Sequence, residues 1–575
     1  MRFLLFQTTL EQVEESYHDS INAGYPLGLA YIHSYATWRG HVGRSFDFTN
    51  LPLAECRTSV LEKIAEVQPD LIGYQVLSSN RTSTFDVIDL VHRMHPHTPI
   101  VIGGIHASER YREILKPDSP FAVIVGEAER GFSKMLDNLR DHVPLYEDVS
   151  GAAYIDRTGE LVRVPASQMV DDLDAFPFPA HDQFLTARST YASLITSRGC
   201  PFACSFCSVS RRPMRFRSIG NVVDEIEFLK STYPQLEAIR IWDDQFFFDN
   251  ERVISICDEI VKRNIKMKFI CLGRLKPCSR ELVLALERAG FVHVLFGLET
   301  GSRTVSLKSN KKIKLEWALE TASLFADSRI NISMFLIVGL EGETAETVLE
   351  TSRFVQQIQT QKYFPCWWNV GIATVYPGTD LFSVAKQKAM IGDDYWETTA
   401  QVPLFTAENT LPRLQEWLRV IATHTDPLLI LEAKAALDAQ RHLIPSIILW
   451  VLRNFGLTGD PYVNDSLLSP LLDVMVEAVG SPSAVQLRLD RSLAGGGPAV
   501  DFFVLERSPG TESTYVARRS EAVGRQLVAH WLLVACQQSG PFLAKLSKSV
   551  ETILERRLNV RDNAIIEGVL EDALC

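Results

Sequence analysis

Short apolar runs alternate with helix-period segments twice along this chain, and that rhythm constrains its fold more than any other feature. Strand–helix repeats bury their apolar faces by forming a mainly parallel sheet with helices packed on it, so the chain belongs to the α/β class. The first series occupies residues 1–150. Its strands are expected at Arg2–Gln7, Val42–Phe48, Leu71–Val76, Ile100–Gly103 and Ala122–Val125, and its helices at Leu27–Trp38, Thr58–Val67, Thr84–Met94 and Glu129–Leu139. Ligands of such sheets sit beyond the strands' carboxyl ends. The loops there are Ser78-Ser79-Asn80, Gly103-Gly104-Ile105-His106 and Gly126-Glu127, small and polar enough for a ligand and equally for ordinary turns.

A connector at 151–190 carries Phe176-Pro177-Phe178-Pro179, which favours an extended path between packed domains. The second series, 191–404, has candidate strands at Ala192–Ser197, Ala238–Trp242, Lys268–Leu272, His293–Gly297, Ile332–Val338 and Asn369–Val375. Six such units predict a partial or full βα barrel with its site at the strands' carboxyl ends. Beyond, 405–575 reads as a mixed, mainly helical domain. Helical spacing at Pro412–Thr423, Leu429–Gln440, Ser446–Asn454 and Ser547–Leu558 brackets strands at Ala484–Leu489 and Val500–Glu506.

A net charge of -12 argues against a nucleic-acid partner. The opening Met1–Thr8 segment reads as a buried strand rather than a signal peptide. The apolar stretch Leu443–Leu457 is interrupted by Pro445, Ser446, Arg453 and Asn454, short of the roughly 20 apolar residues of a membrane span. Ten cysteines, three of them within eight positions, suggest reduced thiols and a metal site, hence a cytoplasmic protein without a membrane partner.

Those three lie in Arg198-Gly199-Cys200-Pro201-Phe202-Ala203-Cys204-Ser205-Phe206-Cys207, directly after a strand. Three thiolates on one compact loop suit a [4Fe–4S] cluster with one iron left open. A structural zinc ion would want a fourth N or S ligand, and the nearest histidines, His181 and His293, are far along the chain; three unrelated buried thiols are the other alternative. The CxxxCxxC spacing, with an aromatic residue before the last cysteine, resembles the radical S-adenosylmethionine (SAM) superfamily. Trp242-Asp243-Asp244, Gly297-Leu298-Glu299-Thr300-Gly301, Phe335-Leu336-Ile337-Val338-Gly339 and Tyr376-Pro377-Gly378-Thr379 follow in the same barrel order. By that resemblance the open iron binds SAM, Asp243 or Asp244 faces its amino group, Glu299 its ribose, and the backbone at Val338 and Gly339 its adenine. Arg274 and Arg303 could counter its carboxylate. Taken alone, Asp243 and Asp244 could instead cap a helix, Gly339 could end a strand, and the arginines could be solvated.

The resemblance extends forward. Pro26-Leu27-Gly28-Leu29, Pro69-Asp70-Leu71-Ile72-Gly73, Gly103-Gly104-Ile105-His106 and Val125-Gly126-Glu127-Ala128-Glu129 look like the Rossmann-like (flavodoxin-like) cobalamin-binding domain fused to many radical SAM proteins. It implies that Ser78, Ser79, Asn80, Gly103, Gly104, His106, Gly126 and Glu127 line the cobalamin site. The Asp-x-His-x-x-Gly loop that ligates cobalt in methionine synthase-type domains is missing, and His92, His95 and His97 fall at a helix end. Cobalt is then expected without a protein nitrogen. The family implies an external electron donor such as flavodoxin or ferredoxin, a small-molecule or peptide substrate of specialised metabolism, and methylation of an unactivated carbon through a 5′-deoxyadenosyl radical and methylcobalamin. Ring closure, rearrangement or oxidation with the same cofactors is the alternative. Only Cys56 precedes Cys200, which disfavours a methylthiotransferase; a metal or cobalamin carrier without catalysis is the non-enzymatic alternative.

Overall fold

The computed structural model describes residues 1–10, 24–165, 172–326, 328–361, 367–399, 401–425, 484–489, 500–507 and 515–519. The chain divides into two units, one of Met1–Thr351 with Trp367–Arg419 and the other of Ser352–Cys366 with Val420–Cys575.

The first unit opens with a seven-stranded sheet: β1 (Arg2–Gln7), β2 (Val42–Asp47), β3 (Leu71–Gln75), β4 (Ile100–Gly103), β5 (Phe121–Ile124), β6 (Ala152–Ile155) and β7 (Leu161–Arg163), in the order β2-β1-β3-β4-β5-β6-β7. The pairs from β2 through β5 are parallel. Alternate residues of each strand feed two cores: Leu4, Phe6, Ile72, Tyr74 and Ile102 on one face, Phe3, Leu5, Leu71, Val101 and Ile124 on the other. Strands buried on both faces read as continuous apolar runs, which is why they were legible. The order reverses at β1, so a crevice opens between the carboxyl ends of β1 and β3.

Two elements were not anticipated. The hairpin β6–β7 pairs antiparallel with β5 and carries the sheet past residue 150 to Arg163; its turn is tied by Asp156 Oδ1, which accepts from the amides of Thr158 (2.8 Å) and Glu160 (3.0 Å). The helix Ile105–Ile114 buries His106, Ala107, Arg110, Tyr111 and Ile114. Its inward stripe includes a histidine and an arginine, so it lacks the apolar period that marks a helix in sequence.

The connector lies on the helix Leu27–Trp38. Ala180 N donates to Ala30 O (3.0 Å), and Phe176 packs with Tyr31 and Leu173. Six parallel strands follow: β8 (Tyr191–Leu194), β11 (Ala238–Ile241), β12 (Lys268–Arg274), β13 (Phe291–Glu299), β14 (Asn331–Val338) and β15 (Trp367–Ile372). Between the first two, β9 (Ser197–Arg198) and β10 (Arg215–Phe216) form a short antiparallel ladder. The six stand side by side in chain order, β8 and β15 do not pair, and the barrel is incomplete.

In the second unit β16 (Ala484–Leu489), β17 (Val500–Arg507) and β18 (Tyr515–Arg519) form an antiparallel sheet. The helical segments expected at Leu429–Gln440, Ser446–Asn454 and Ser547–Leu558 lie outside the described residues. No helix among the described residues is long and apolar enough to cross a membrane.

Candidate functional site: a cysteine loop between two sets of strand ends

The β9–β10 ladder clasps residues 199–214 into one loop. Inside it Arg212 N donates to Cys200 O (2.9 Å) and Arg211 N to Phe202 O (2.8 Å). Gly199 holds φ +97°, and a Cβ there would overlap Pro213 O, so only glycine fits. From the barrel, Ser309 O accepts from Ser205 N (2.9 Å) and Asn310 Nδ2 donates to Ala203 O (2.7 Å). Cys200 and Cys204 are buried, Cys207 is half-buried, and all three are free thiols. Burial pushes the Cys200 thiol up and Cys207 to about 11, so metal must displace protons to bind here.

Among the described residues no three His, Cys, Asp or Glu side chains converge as a single ion requires. Cys200, Cys204 and Cys207 nonetheless sit close enough to feel one another's charge. Thiols that share a loop without meeting at a point suit a multi-iron cluster, in which each cysteine takes a different iron, better than zinc.

Beyond the cysteines the strand ends divide into groups already engaged and groups still available. Asp243 is buried and accepts from Thr196 N (2.6 Å), Thr196 Oγ1 (2.5 Å) and Ser197 Oγ (2.6 Å), tying β11 to the foot of the cysteine loop. Asp244, next to it, is exposed and accepts from Gly199 N. Glu299 follows a bulge in β13 and holds φ +70°, a left-handed conformation that costs a non-glycine residue of order 1–3 kcal/mol. Its Oε1 accepts from Lys311 Nζ at 2.8 Å, and both side chains are buried. The Lys311 ammonium also bears on Cys200 and Cys207 and lies 6.0 Å from the Phe206 ring.

Val338 is buried at the end of β14, and the amide of Gly339 donates to the Glu343 carboxylate, which also accepts from Leu340 N. Burial raises Glu343 to about 7 despite those hydrogen bonds. Arg303 is exposed and pairs with Glu316 at 2.7 Å. Neither Lys311 nor Glu343 is singled out by sequence: one sits in a polar Asn310-Lys311-Lys312 run and the other in an acidic one, and only tertiary contact separates them from solvated charge.

The carboxyl edge of the first sheet touches this loop through ion pairs. Glu127 accepts from Arg215 (3.1 Å) and faces Arg198 (3.4 Å), while Glu129 pairs with Arg198 at 2.8 Å. Burial works against the Glu127 carboxylate, yet the Arg215 hydrogen bond, with Arg198, holds it below its ordinary value. On the β3–β4 side, residues 393–399 and Gln401 lie over the edge. Arg81 donates to the carbonyls of Trp396 (3.1 Å), Thr399 and Gln401 (3.2 Å), and Arg110 grips Glu397 at 2.9 Å. Trp396 stands edge-on to His106, ring centroids 5.3 Å apart.

His106 Nδ1 bonds Ser78 Oγ at 3.0 Å, Nε2 is buried without a partner, and burial lowers its pKa to about 3. Asn80 is spent on its own loop, accepting from Leu77 N (2.7 Å) and donating to Gln75 O (3.0 Å). Ser79 is half-buried beside it. Gly103 ends β4; Gly104, at φ +98°, would place a Cβ 2.6 Å from Val76 O. Gly126 N donates to Ser108 Oγ (3.0 Å). At the β1–β3 crevice, Gln7 and Gln75 stand opposite one another, each with a buried Oε1 that no donor reaches, and a Cβ added at Gly28 would come within 4.0 Å of Gln75 Nε2.

Comparison with known proteins assigns two segments of the chain. Residues 194–355 match the radical SAM superfamily, and residues 21–136 match the B12 binding domain. The chain joins a radical SAM domain to a B12 binding domain, the pairing found in cobalamin-dependent radical SAM enzymes. It is 28% identical to an anaerobic magnesium-protoporphyrin IX monomethyl ester cyclase of Rubrivivax gelatinosus, over 64% of this chain and 67% of that one. It is 25% identical to an uncharacterized methyltransferase of Pyrococcus horikoshii, over 63% of this chain and 78% of that one. In fold it resembles the cobalamin-dependent SAM radical enzyme OxsB, solved with aqua-cobalamin and SAM bound (TM-score 0.60, 15% identity, covering 100% of this chain and 83% of that one). Radical SAM and B12 binding domains together imply a [4Fe–4S] cluster, SAM and cobalamin as cofactors.

The residues present fit these groups. The cysteine loop offers three thiols to a cluster. The Gln7 and Gln75 oxygens need hydrogen-bond donors, which the carboxamide side chains of a corrin carry, and burial without them is costly.

Proposed function

We propose that this radical SAM enzyme methylates an unactivated carbon of a small-molecule or peptide substrate. The observation that carries the reading is the join between the two domains: Glu109 on the helix Ile105–Ile114 faces Arg212 of the cysteine loop, and Glu127 and Glu129, after β5, pair with Arg198 and Arg215 of the β9–β10 ladder that clasps it. Cofactors held at both edges then share one space, as a methyl donor and a radical generator must.

When bound, the cluster and SAM supply a 5′-deoxyadenosyl radical and the cobalamin a transferable methyl group. The chain's own residues hold and screen. Cys200, Cys204 and Cys207 anchor the cluster, Asp244 is the carboxylate at the β11 end free to meet an ammonium group, and Glu299 offers an acceptor to ribose hydroxyls. Gly339, fixed by Glu343, presents backbone to the adenine. Ser78, Ser79, Asn80, Gly103, Gly104, His106, Gly126 and Glu127 form the rim of the cobalamin edge, with Gln7 and Gln75 at its crevice. Arg81 and Arg110 hold Trp396 over part of that edge and keep water from it. We assign the first sheet, through the β6–β7 hairpin to Arg163, to cobalamin, residues 191–404 to SAM and residues 405–575 to the substrate. A flavodoxin or ferredoxin supplies the electron in the reducing cytoplasm, where the thiols also stay reduced.

Ring closure is the second reading, favoured by the similarity to a cyclase. The test is cobalamin- and cluster-loaded protein with titanium(III) citrate and SAM carrying a CD₃ group. Methyl transfer predicts S-adenosylhomocysteine and CD₃-labelled cobalamin by mass spectrometry. Formation of 5′-deoxyadenosine alone, with unlabelled cobalamin, supports the ring-closing reading instead.

A further inference from the structure

Arg274, at the end of β12, is nearly buried at 9% exposure, and among the described residues its guanidinium forms no ion pair with a carboxylate. Such a charge is costly unless something of opposite sign meets it. What meets it is sulfur: Arg274 Nη1 donates to Cys204 Sγ at 3.5 Å. The group is also held in place, since its carbon lies 4.2 Å from the centroid of the Phe202 ring, within the cysteine loop, and its backbone amide donates to the buried Gln245 Oε1 at 2.8 Å. A stacked guanidinium on a strand end, with a fixed backbone, has little freedom to turn elsewhere.

We infer that Arg274 is a positioning residue that sets the reduction potential of the cluster through its hydrogen bond to the Cys204 ligand. The inference rests on Cys200, Cys204 and Cys207 being the cluster ligands. Reduction adds one electron, drawn from an external low-potential donor, and so one negative charge to a cluster already carrying three thiolates. A fixed cation hydrogen-bonded to one of those sulfurs stabilises the reduced form more than the oxidised one, and such bonds are among the protein's main controls on iron–sulfur potentials. The midpoint is thereby raised toward that of the donor. Lys311, which also bears on Cys200 and Cys207, is already engaged by Glu299, whereas among the described residues Arg274 has no carboxylate partner.

The test compares reconstituted wild type, Arg274→Gln, Arg274→Lys and Phe202→Leu. Iron and sulfide content are assayed first, then potentiometric titration followed by electron paramagnetic resonance of the reduced cluster, with and without SAM. Arg274→Gln is expected to load a full cluster whose midpoint lies below that of wild type. Arg274→Lys keeps the charge and recovers part of the shift, and Phe202→Leu, which removes only the platform, falls between wild type and Arg274→Gln. A fully loaded Arg274→Gln cluster with an unchanged midpoint and weakened SAM binding overturns the inference and makes Arg274 a SAM carboxylate ligand. Full loading of Cys204→Ala overturns the ligand assignment itself, a failure that iron content separates from the first.

Discussion

Glu343 offers a direct test of how the turn after β14 is held. Its carboxyl is buried, receives the amides of Gly339 and Leu340, and is raised by burial from 4.5 to about 7. Between those values the folded chain holds a proton that the unfolded chain has released. The corresponding stability is therefore complete below the ordinary carboxylate value and is lost as pH rises through about 7. At about 1.4 kcal/mol for each pKa unit, the loss amounts to about 3 kcal/mol. Glu343→Gln retains an acceptor for Gly339 and removes the titration. Urea unfolding of metal-free wild type and variant at pH 5 and pH 8.5 should show wild type losing about 3 kcal/mol more than the variant across that interval. Other titrating groups cancel in the difference. Parallel pH profiles for the two proteins would show that Glu343 does not titrate in this window and that the turn is not held by a protonated carboxyl.

The remaining expectations concern the cofactor residues. Cys200→Ala, Cys204→Ala and Cys207→Ala should each abolish the visible absorption of a reconstituted cluster and all SAM cleavage, whereas Cys257→Ala and Cys271→Ala, buried in the barrel wall, should retain both; a fully active mutant of the first group removes that ligand. Glu299→Ala should weaken SAM binding by about one to two decades, the value of a charge-assisted hydrogen bond of roughly 1.5–3 kcal/mol. It should also cost about 3–5 kcal/mol of stability by leaving Lys311 buried and unpaired. Adding Lys311→Met should restore the stability and not the affinity, and calorimetry that finds SAM binding unchanged takes Glu299 out of the site. The chain has no Asp-x-His-x-x-Gly loop, and His106 has Nδ1 on Ser78 and its ring against Trp396, so Co(II) bound to the protein should give electron paramagnetic resonance lines without nitrogen splitting. Triplet splitting that vanishes in His106→Ala would make His106 the lower ligand of cobalt.

Sequence alone determined what depends on local period and local spacing. Strand segments such as Phe3–Phe6 and Met334–Val338 are unbroken apolar runs, and three cysteines within eight positions mark a metal-binding loop without a partner from elsewhere. The α/β class and the cluster loop were legible for that reason, and SAM and cobalamin through the family resemblance that the motifs carry. What the tertiary structure decided is which polar groups are already occupied. Asp243 and Asp244 are neighbours in sequence, yet three hydrogen bonds from Thr196 and Ser197 engage the first and leave the second exposed. Glu299 acquires Lys311, Glu343 acquires the Gly339 amide, and Arg274 acquires the Cys204 sulfur across 70 residues of chain. The helix Ile105–Ile114 and the hairpin β6–β7 were missed because one buries a histidine and an arginine and the other depends on the edge of β5. A polar side chain has the same appearance in sequence whether water or protein satisfies it. Only folding, by excluding water from some of these groups and not others, assigns their partners.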